Sequence, residues 1–203
     1  MTAIIDYGVG NLFSLLSSFA AIGEKAVVTK SEAELRQADR LVLPGVGAFK
    51  DARLALKESG LEETVLDLVR SGKPLLGICL GMQLLFDRDY EDGVHEGLGL
   101  IRGEVRPISE TIGSGLKIPQ IGWNALVFRN RSTLFRYIRE GDYVYFVHSY
   151  HATGCEGCTT AVTEYGGLLT ASVEKDNVFG CQFHPEKSGD VGLNILRAFV
   201  EVS

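Results

Sequence analysis

The sequence predicts an α/β fold: one domain with a mostly parallel central sheet, helices on both faces, and antiparallel strands added in its second half. Three observations carry this reading. In the first half, short apolar runs alternate with segments of helical period. From Leu98 to Gly180, strand-like runs follow one another with only turns between them. The bulk is that of an ordinary folded unit: 203 residues, 45% hydrophobic and 23% charged. No repeat, low-complexity tract or linker divides the chain, so residues 1–203 are expected to form a single domain.

The elements follow in order. Ala3-Ile4-Ile5 reads as a buried strand ended by Asp6-Tyr7-Gly8. Asn11 stands where an N-cap belongs, and Leu12, Leu15, Leu16 and Phe19 follow as one stripe of a helix. Ala26-Val27-Val28 and Leu41-Val42-Leu43 are the next strands, the second stopped by Pro44-Gly45. Leu61, Val65, Leu68 and Val69 mark a further helix, with Glu62 and Glu63 in its first turn, where the helix dipole favours acids. Gly72-Lys73-Pro74 ends it. Leu75 to Ile78 returns to strand, and Met82 to Phe86 is helix-compatible. Alternation at this pitch argues for βαβ units and a parallel sheet covered on both faces. Further on, Tyr143 to Val147, Thr159 to Thr163 and Leu168 to Val173 read as strands of antiparallel hairpins. Ser188 is the expected N-cap of a last helix, with Val191, Ile195, Phe199 and Val202 on one face.

Charge and composition exclude several classes. Acidic residues outnumber basic ones 26 to 20, a net charge of −6 that repels phosphate backbones and argues against unaided nucleic-acid binding. The N-terminal apolar run stops at Asp6 with no basic lead, unlike a secretory leader. No window approaches the ~18 apolar residues of a membrane span. A cytoplasmic location is expected. There the four cysteines, Cys79, Cys155, Cys158 and Cys181, are free, catalytic or metal-binding rather than bridged.

Three segments carry candidate chemistry. In Gly77-Ile78-Cys79-Leu80-Gly81, a nucleophile flanked by glycines sits between a strand and a helix-compatible run. Such a turn projects the thiol from the sheet edge, and the helix N-terminus favours a thiolate. The Leu80 N–H would then face an oxyanion formed at the thiol's target. A buried structural cysteine is the competing reading. In Gln182-Phe183-His184-Pro185-Glu186, a histidine at a strand's carboxyl end can serve a thiol as base, with the carboxylate orienting its ring. An exposed His-Glu loop pair is the alternative. In Leu43-Pro44-Gly45-Val46-Gly47-Ala48, two glycines in a βα turn free backbone N–H groups for an anion or oxyanion. It lacks the Lys-Ser/Thr of a P-loop, and an ordinary turn is the plainer reading.

Together these segments resemble the triad class of glutamine amidotransferases. Asp6-Tyr7-Gly8-Val9-Gly10-Asn11, Pro44-Gly45-Val46-Gly47-Ala48-Phe49, Pro119-Gln120-Ile121-Gly122-Trp123-Asn124 and Val147-His148-Ser149-Tyr150 resemble one branch, the glutaminase subunits of imidazole glycerol phosphate synthases. The likeness runs from residue 5 to residue 199. One departure is Gln120, where that family usually has His.

The resemblance implies Cys79 as nucleophile, His184 as general base and acid, and Glu186 as the group orienting the imidazole. It implies an oxyanion hole from Leu80 and the Val46–Gly47 turn, the turn contributing after a peptide reorients. It implies substrate contacts from Gln83, Glu91, Ser149 and Tyr150. It further implies glutamine as substrate, no cofactor, no metal, and a separate (β/α)₈-barrel cyclase as heterodimer partner. That partner would receive ammonia and make imidazole glycerol phosphate and an aminoimidazole carboxamide ribonucleotide in histidine biosynthesis. Trp123 and Lys187 are the expected interface residues. Three rivals remain. His148, His151, Cys155 and Cys158 have ligand-pair spacings suggestive of zinc. A non-catalytic partner protein would keep the fold and lose the reaction. A sibling amidotransferase would feed a synthase of anthranilate, guanylate or pyridoxal phosphate.

Overall fold

The computed structural model describes residues 1–202. Its first half runs β1 (Thr2–Ile5), α1 (Leu12–Ala21), β2 (Ala26–Thr29), α2 (Glu32–Gln37), β3 (Arg40–Leu43), α3 (Phe49–Glu58), α4 (Glu62–Arg70), β4 (Leu75–Ile78) and the single turn α5 (Leu80–Gln83). The second half is strand-rich: β5 (Phe86–Asp89), β6 (His95–Glu96), β7 (Ile101–Pro107), β8 (Gln120–Ala125), β9 (Val127–Phe128), β10 (Tyr143–His148), β11 (Tyr150–Thr153), β12 (Thr159–Glu164), β13 (Leu168–Lys175) and β14 (Val178–Cys181). The helix α6 (Gly189–Val200) closes the chain.

The central sheet has eight strands in the order β2-β1-β3-β4-β14-β13-β12-β9. Its first five strands are parallel, and β13, β12 and β9 extend it antiparallel, as the two halves of the sequence suggest. Each parallel strand divides its residues between two cores. Ala3, Ile5, Leu41, Leu43 and Leu75 face one layer with Leu56 and Val65 from α3 and α4. Ile4, Val42, Leu76 and Ile78 face the other, with Leu15 and Phe19 of α1 and Ile195, Leu196 and Phe199 of α6. A side-chain period of two puts successive residues on opposite faces, so strands apolar at every position require helices on both. On the second face, Phe179 of β14 meets Phe199 edge-on at 5.8 Å between centroids.

Several elements differ from the expectation. Met82 to Phe86 is not helix throughout: α5 ends at Gln83, and Phe86 opens β5. Phe86 is fully buried and pairs with Ile101 of β7, so burial in a new sheet overrides the short helical run. That second sheet, β11-β7-β5-β6, and the separate ribbon β10-β8 were not foreseen. Asn11 and Ser188 precede their helices without capping them through their side chains. Helix α2 is held at its other end, where Lys73 Nζ donates to the carbonyls of Leu35 (2.9 Å), Arg36 (2.9 Å) and Ala38. No helix among the described residues is long and apolar enough to cross a membrane.

Phe199→Ala is expected to lower unfolding stability by ~3–5 kcal/mol, because the Phe179 edge contact and the α6–sheet seam are lost together. Phe13→Ala, at a site 80% exposed, is expected to stay within ~0.5 kcal/mol of the parent. Urea titration followed by far-UV dichroism measures both.

Candidate active site

β4 stops at Ile78 and α5 starts at Leu80, leaving Cys79 between them at φ 54°, ψ −113°. A non-glycine residue held there costs of order ~1–3 kcal/mol, so the surroundings must enforce it. They do so by backbone crowding. A Cβ on Gly77 would sit 2.6 Å from Gly81 O, one on Gly81 1.9 Å from Leu43 O, and one on Gly45 2.7 Å from Gly81 N. The chain leaving β3 therefore lies directly on the elbow and brings Val46 and Gly47 beside the thiol. Gly47 adopts φ 91°, a conformation suited to glycine. The Tyr7 hydroxyl donates to Pro44 O at 2.6 Å, fixing the start of that loop. Burial, with Cys79 nearby, pushes the Tyr7 phenol above its ordinary range, so it stays a donor. From the other side, Cys79 N–H donates to Cys181 O at 2.7 Å.

A cavity of about 290 Å³ opens over Cys79. Val46, Gly47 and Leu80 line it next to the thiol, and Leu80 is the first helical residue, whose N–H has no partner within the helix. Gln83, Glu91, Ser149 and Tyr150 line it further out, and His184 and Lys187 lie across from the elbow. The structure thus gathers almost every residue singled out in the sequence into one space. A larger groove of about 680 Å³, bordered by Asp87, Arg88, Arg102 and Glu104, holds mixed surface charge but no nucleophile.

His184 follows β14, the strand hydrogen-bonded beside β4, so the two carboxyl ends present base and thiol side by side. The imidazole Nδ1–H donates to Glu186 Oε1 at 2.7 Å, and both side chains are almost fully buried. Burial alone pulls the His184 pKa down. The Cys79 and Glu186 side chains together outweigh it and carry the ring up to about 9. The backbone here is tightly held: His184 N–H donates to Tyr145 O at 2.9 Å, and the Ser188 hydroxyl donates to His184 O at 2.6 Å while accepting Tyr145 N–H at 3.0 Å. Ser188 therefore braces the triad loop instead of capping α6.

The outer residues are positioned as follows. Gln83 Nε2 donates to Tyr150 O at 3.1 Å and to Gln182 Oε1 at 3.0 Å, so its carbonyl oxygen stands outside that brace. Glu91 Oε2 accepts the Phe49 N–H, at the first turn of α3, at 2.6 Å. Trp123 stands on the ribbon, half exposed and edge-on to Tyr145 at 6.0 Å, so it is not a core tryptophan; it does not line the cavity. Lys187 Nζ lies 5.9 Å from the Tyr145 ring. Gln120 is fully buried; its side chain meets His148 Nε2 at 2.9 Å and donates to Asn124 Oδ1 at 2.9 Å.

Three residues near the thiol escaped the sequence reading. Gln182 Nε2 reaches toward Cys79 Sγ at 3.8 Å. Tyr7 holds Pro44. His148, considered there only as a metal ligand, lines the cavity and donates through Nδ1 to Tyr150 O at 2.7 Å. Burial drops its pKa to about 4, so it is neutral beside the His184 imidazolium. The signal for Gln182 was its place two residues before His184; nothing local marked the other two. Among the described residues, no group of three or more His, Cys, Asp or Glu side chains is arranged to hold a metal ion. His151 is engaged instead, accepting Thr170 N–H at Nδ1 (3.3 Å) and donating from Nε2 to Thr111 Oγ1 (2.9 Å).

The chain is similar to known proteins over its full length. The family model for class-I glutamine amidotransferases matches residues 3–202. The imidazole glycerol phosphate synthase subunit HisH of Wolinella succinogenes is 50% identical over the full length of both chains. The same-named protein of Caldanaerobacter subterraneus is 47% identical across all of this chain and 98% of its own, and that of Aquifex aeolicus 46% identical across 98% and 95%. Among solved structures, a glutamine amidotransferase superposes with a TM-score of 0.75 at 19% identity, covering 98% of each chain. PurLQS from Thermotoga maritima superposes at 0.73, with 19% identity, covering 98% of this chain and 96% of its own. At such identities these two speak for the fold alone. A thiol on a strained elbow, a raised imidazole on the neighbouring strand and full-length likeness converge: this chain belongs to the class-I glutamine amidotransferases, in the branch of the HisH subunits of imidazole glycerol phosphate synthase.

Proposed function

We propose that this chain is the glutaminase subunit of an imidazole glycerol phosphate synthase, a single amidotransferase domain over residues 1–203 working in the cytoplasm. The observation that carries the reading is the His184–Glu186 pair facing Cys79 across one cavity, with the imidazole's proton affinity raised by its two neighbours. Cys79 sulfur attacks the side-chain amide carbon of glutamine, and the electron pair of the carbonyl moves onto oxygen. The oxyanion is met by Leu80 N–H and, after the Val46–Gly47 peptide turns inward, by a second backbone donor. His184 gives a proton to the leaving nitrogen, the C–N bond breaks, and ammonia departs from a γ-glutamyl thioester. Water then attacks the thioester, His184 takes its proton, and glutamate and thiol are regenerated. Glu186 keeps the imidazole in the required tautomer. Gln83, Glu91, Ser149 and Tyr150 grip the substrate's amide and amino-acid ends. No cofactor enters any step.

Ammonia released to water would be protonated and lost to synthesis, so the partner must cover the cavity. The surface suits that task. Ile121 and Trp123 on β8 pair with Val147 and Tyr145 on β10, and Ile121, Trp123 and Tyr143 are each more than half exposed. This apolar face ends at Val147 and Lys187, on the cavity rim. Exposed apolar patches of this kind mark docking sites. The partner that fits the branch is a separate (β/α)₈-barrel cyclase, which would carry ammonia through its interior to make imidazole glycerol phosphate and the aminoimidazole carboxamide ribonucleotide.

The deciding experiment mixes the chain with that cyclase, with and without its nucleotide ligand, and follows glutamate release. Stimulation by this synthase, and by none making anthranilate, guanylate or pyridoxal phosphate, is the expected result. An unstimulated rate equal to the stimulated one would remove the role given to the Val46–Gly47 turn. Cys79→Ala is expected to reduce stimulated release by roughly 10⁴-fold or more while still binding the cyclase in gel filtration.

The raised imidazole sets a pH window. His184 keeps its proton up to about 9, so ammonia expulsion is expected to fall as pH rises through that value. Glu186→Gln removes one of the two groups raising it, which should move the alkaline limb to lower pH and slow the reaction. Rates of glutamate release from pH 6 to 10 test this. Trp123→Ala is expected to weaken cyclase binding by about 2 kcal/mol, roughly 30-fold in Kd by calorimetry, with little effect on fold stability.

A further inference from the structure

The segment Gly154-Cys155-Glu156-Gly157-Cys158 links β11 to β12 and takes no part in the reaction above. It forms a tight turn: Cys158 N–H donates to Cys155 O at 2.9 Å. An i to i+3 hydrogen bond of this kind brings the outer Cα atoms within about 7 Å, the span a disulfide bridges. The side chains converge too. Cys158 Sγ–H donates to Cys155 O at 3.2 Å, which folds the Cys158 sulfur back over Cys155. Both cysteines are free. A Cβ added to Gly154 or Gly157 would meet nothing within 4 Å, so the turn has room to adjust as a bridge closes.

The two thiols are not equivalent. Cys155 is buried under the turn but lines a cavity of about 370 Å³ shared with Arg129, His151, Thr159 and Thr170. Its sulfur meets Thr159 Oγ1 at 3.5 Å. The neighbouring Cys158 side chain, then the Thr159 and Thr170 hydroxyls, hold the Cys155 thiol below its ordinary range against burial, and Cys155 together with burial pushes Cys158 up. The turn is also remote from the elbow. Cys158 O accepts Glu174 N–H, and Lys175 pairs with Val178, which pairs with Leu75 at the amino end of β4; Cys79 follows the carboxyl end.

We propose that Cys155 and Cys158 form a dithiol modification site that reacts with hydroperoxides and closes to an intrachain disulfide. Cys155 sulfur attacks the outer peroxide oxygen; the O–O bond breaks, the alcohol or water leaves with the thiol's proton, and Cys155 is oxidised to the sulfenic acid as the peroxide is reduced. Cys158 sulfur then attacks Cys155 sulfur, the S–O bond breaks, water leaves, and the disulfide forms. A thiol reductant restores the pair.

The test uses the folded full-length chain and hydrogen peroxide, followed by alkylation and tryptic mass mapping. No Lys or Arg lies between Arg139 and Lys175, so both cysteines fall in one peptide, separate from those of Cys79 and Cys181. The expected result is loss of the mass of two hydrogens from that peptide, ahead of any change at the fully buried Cys181, and its return with dithiothreitol. Cys158→Ser is expected to leave Cys155 as a sulfenic acid captured by dimedone. The proposal is overturned if both thiols of the wild-type peptide are still alkylated after Cys79 has been consumed. It is also overturned if the bridge forms only between chains, or if dimedone labels Ser-substituted protein at no site in this peptide.

Discussion

The contact of one backbone with another, where the loop leaving β3 lies across the turn after β4, is the constraint from which the rest of the site follows. Gly81 sits so close to Leu43 O, and Gly45 so close to Gly81 N, that a single methyl group at either would force the two segments apart. That approach does two things together. It forces Cys79 into positive φ, lifting its sulfur off the sheet, and it sets Val46 and Gly47 within the same cavity as the sulfur. The lifted sulfur and the backbone that lines its cavity thus derive from one packing event. The energy of the strained turn is offset by the two hydrophobic cores that hold β3 and β4 at their parallel spacing.

Electrostatics at the site are arranged by unequal burial of like groups. His184 and His148 are both nearly inaccessible. One has a carboxylate and a thiol as neighbours and rises to about 9; the other meets a carbonyl and an amide and falls to about 4. Two cations side by side would repel, and the protein avoids that by leaving His148 nothing anionic to pair with. The opposite shifts leave His184 holding a proton and His148 a neutral ring that donates to Tyr150 O.

Much of this was legible in the chain. Strands apolar at every position announced a sheet covered on both faces, and Gly-x-Cys-x-Gly announced the elbow, because those signals reside within a few consecutive residues. Other features were opaque because their partners lie far apart in sequence. Tyr7 gains its meaning only when folding sets it under Pro44. Glu91 has the exposure of a binding residue yet also holds the first turn of α3 through Phe49. Phe86 follows a helical run, and only its pairing with Ile101 makes it strand. Gln120, set apart in the sequence by its departure from a family habit, proves to be a buried strut between His148 and Asn124.

The serine that sits ahead of the last helix has a consequence beyond local bracing. Through its hydroxyl, and through the amide of His184, the imidazole loop is stitched to Tyr145 by a short ladder of hydrogen bonds. Tyr145 is a rung of the outer ribbon and the neighbour of Trp123. The ribbon and the imidazole therefore behave as a single stiff lever: displacing its outer end by even an ångström must either carry the ring along or tear that stitching.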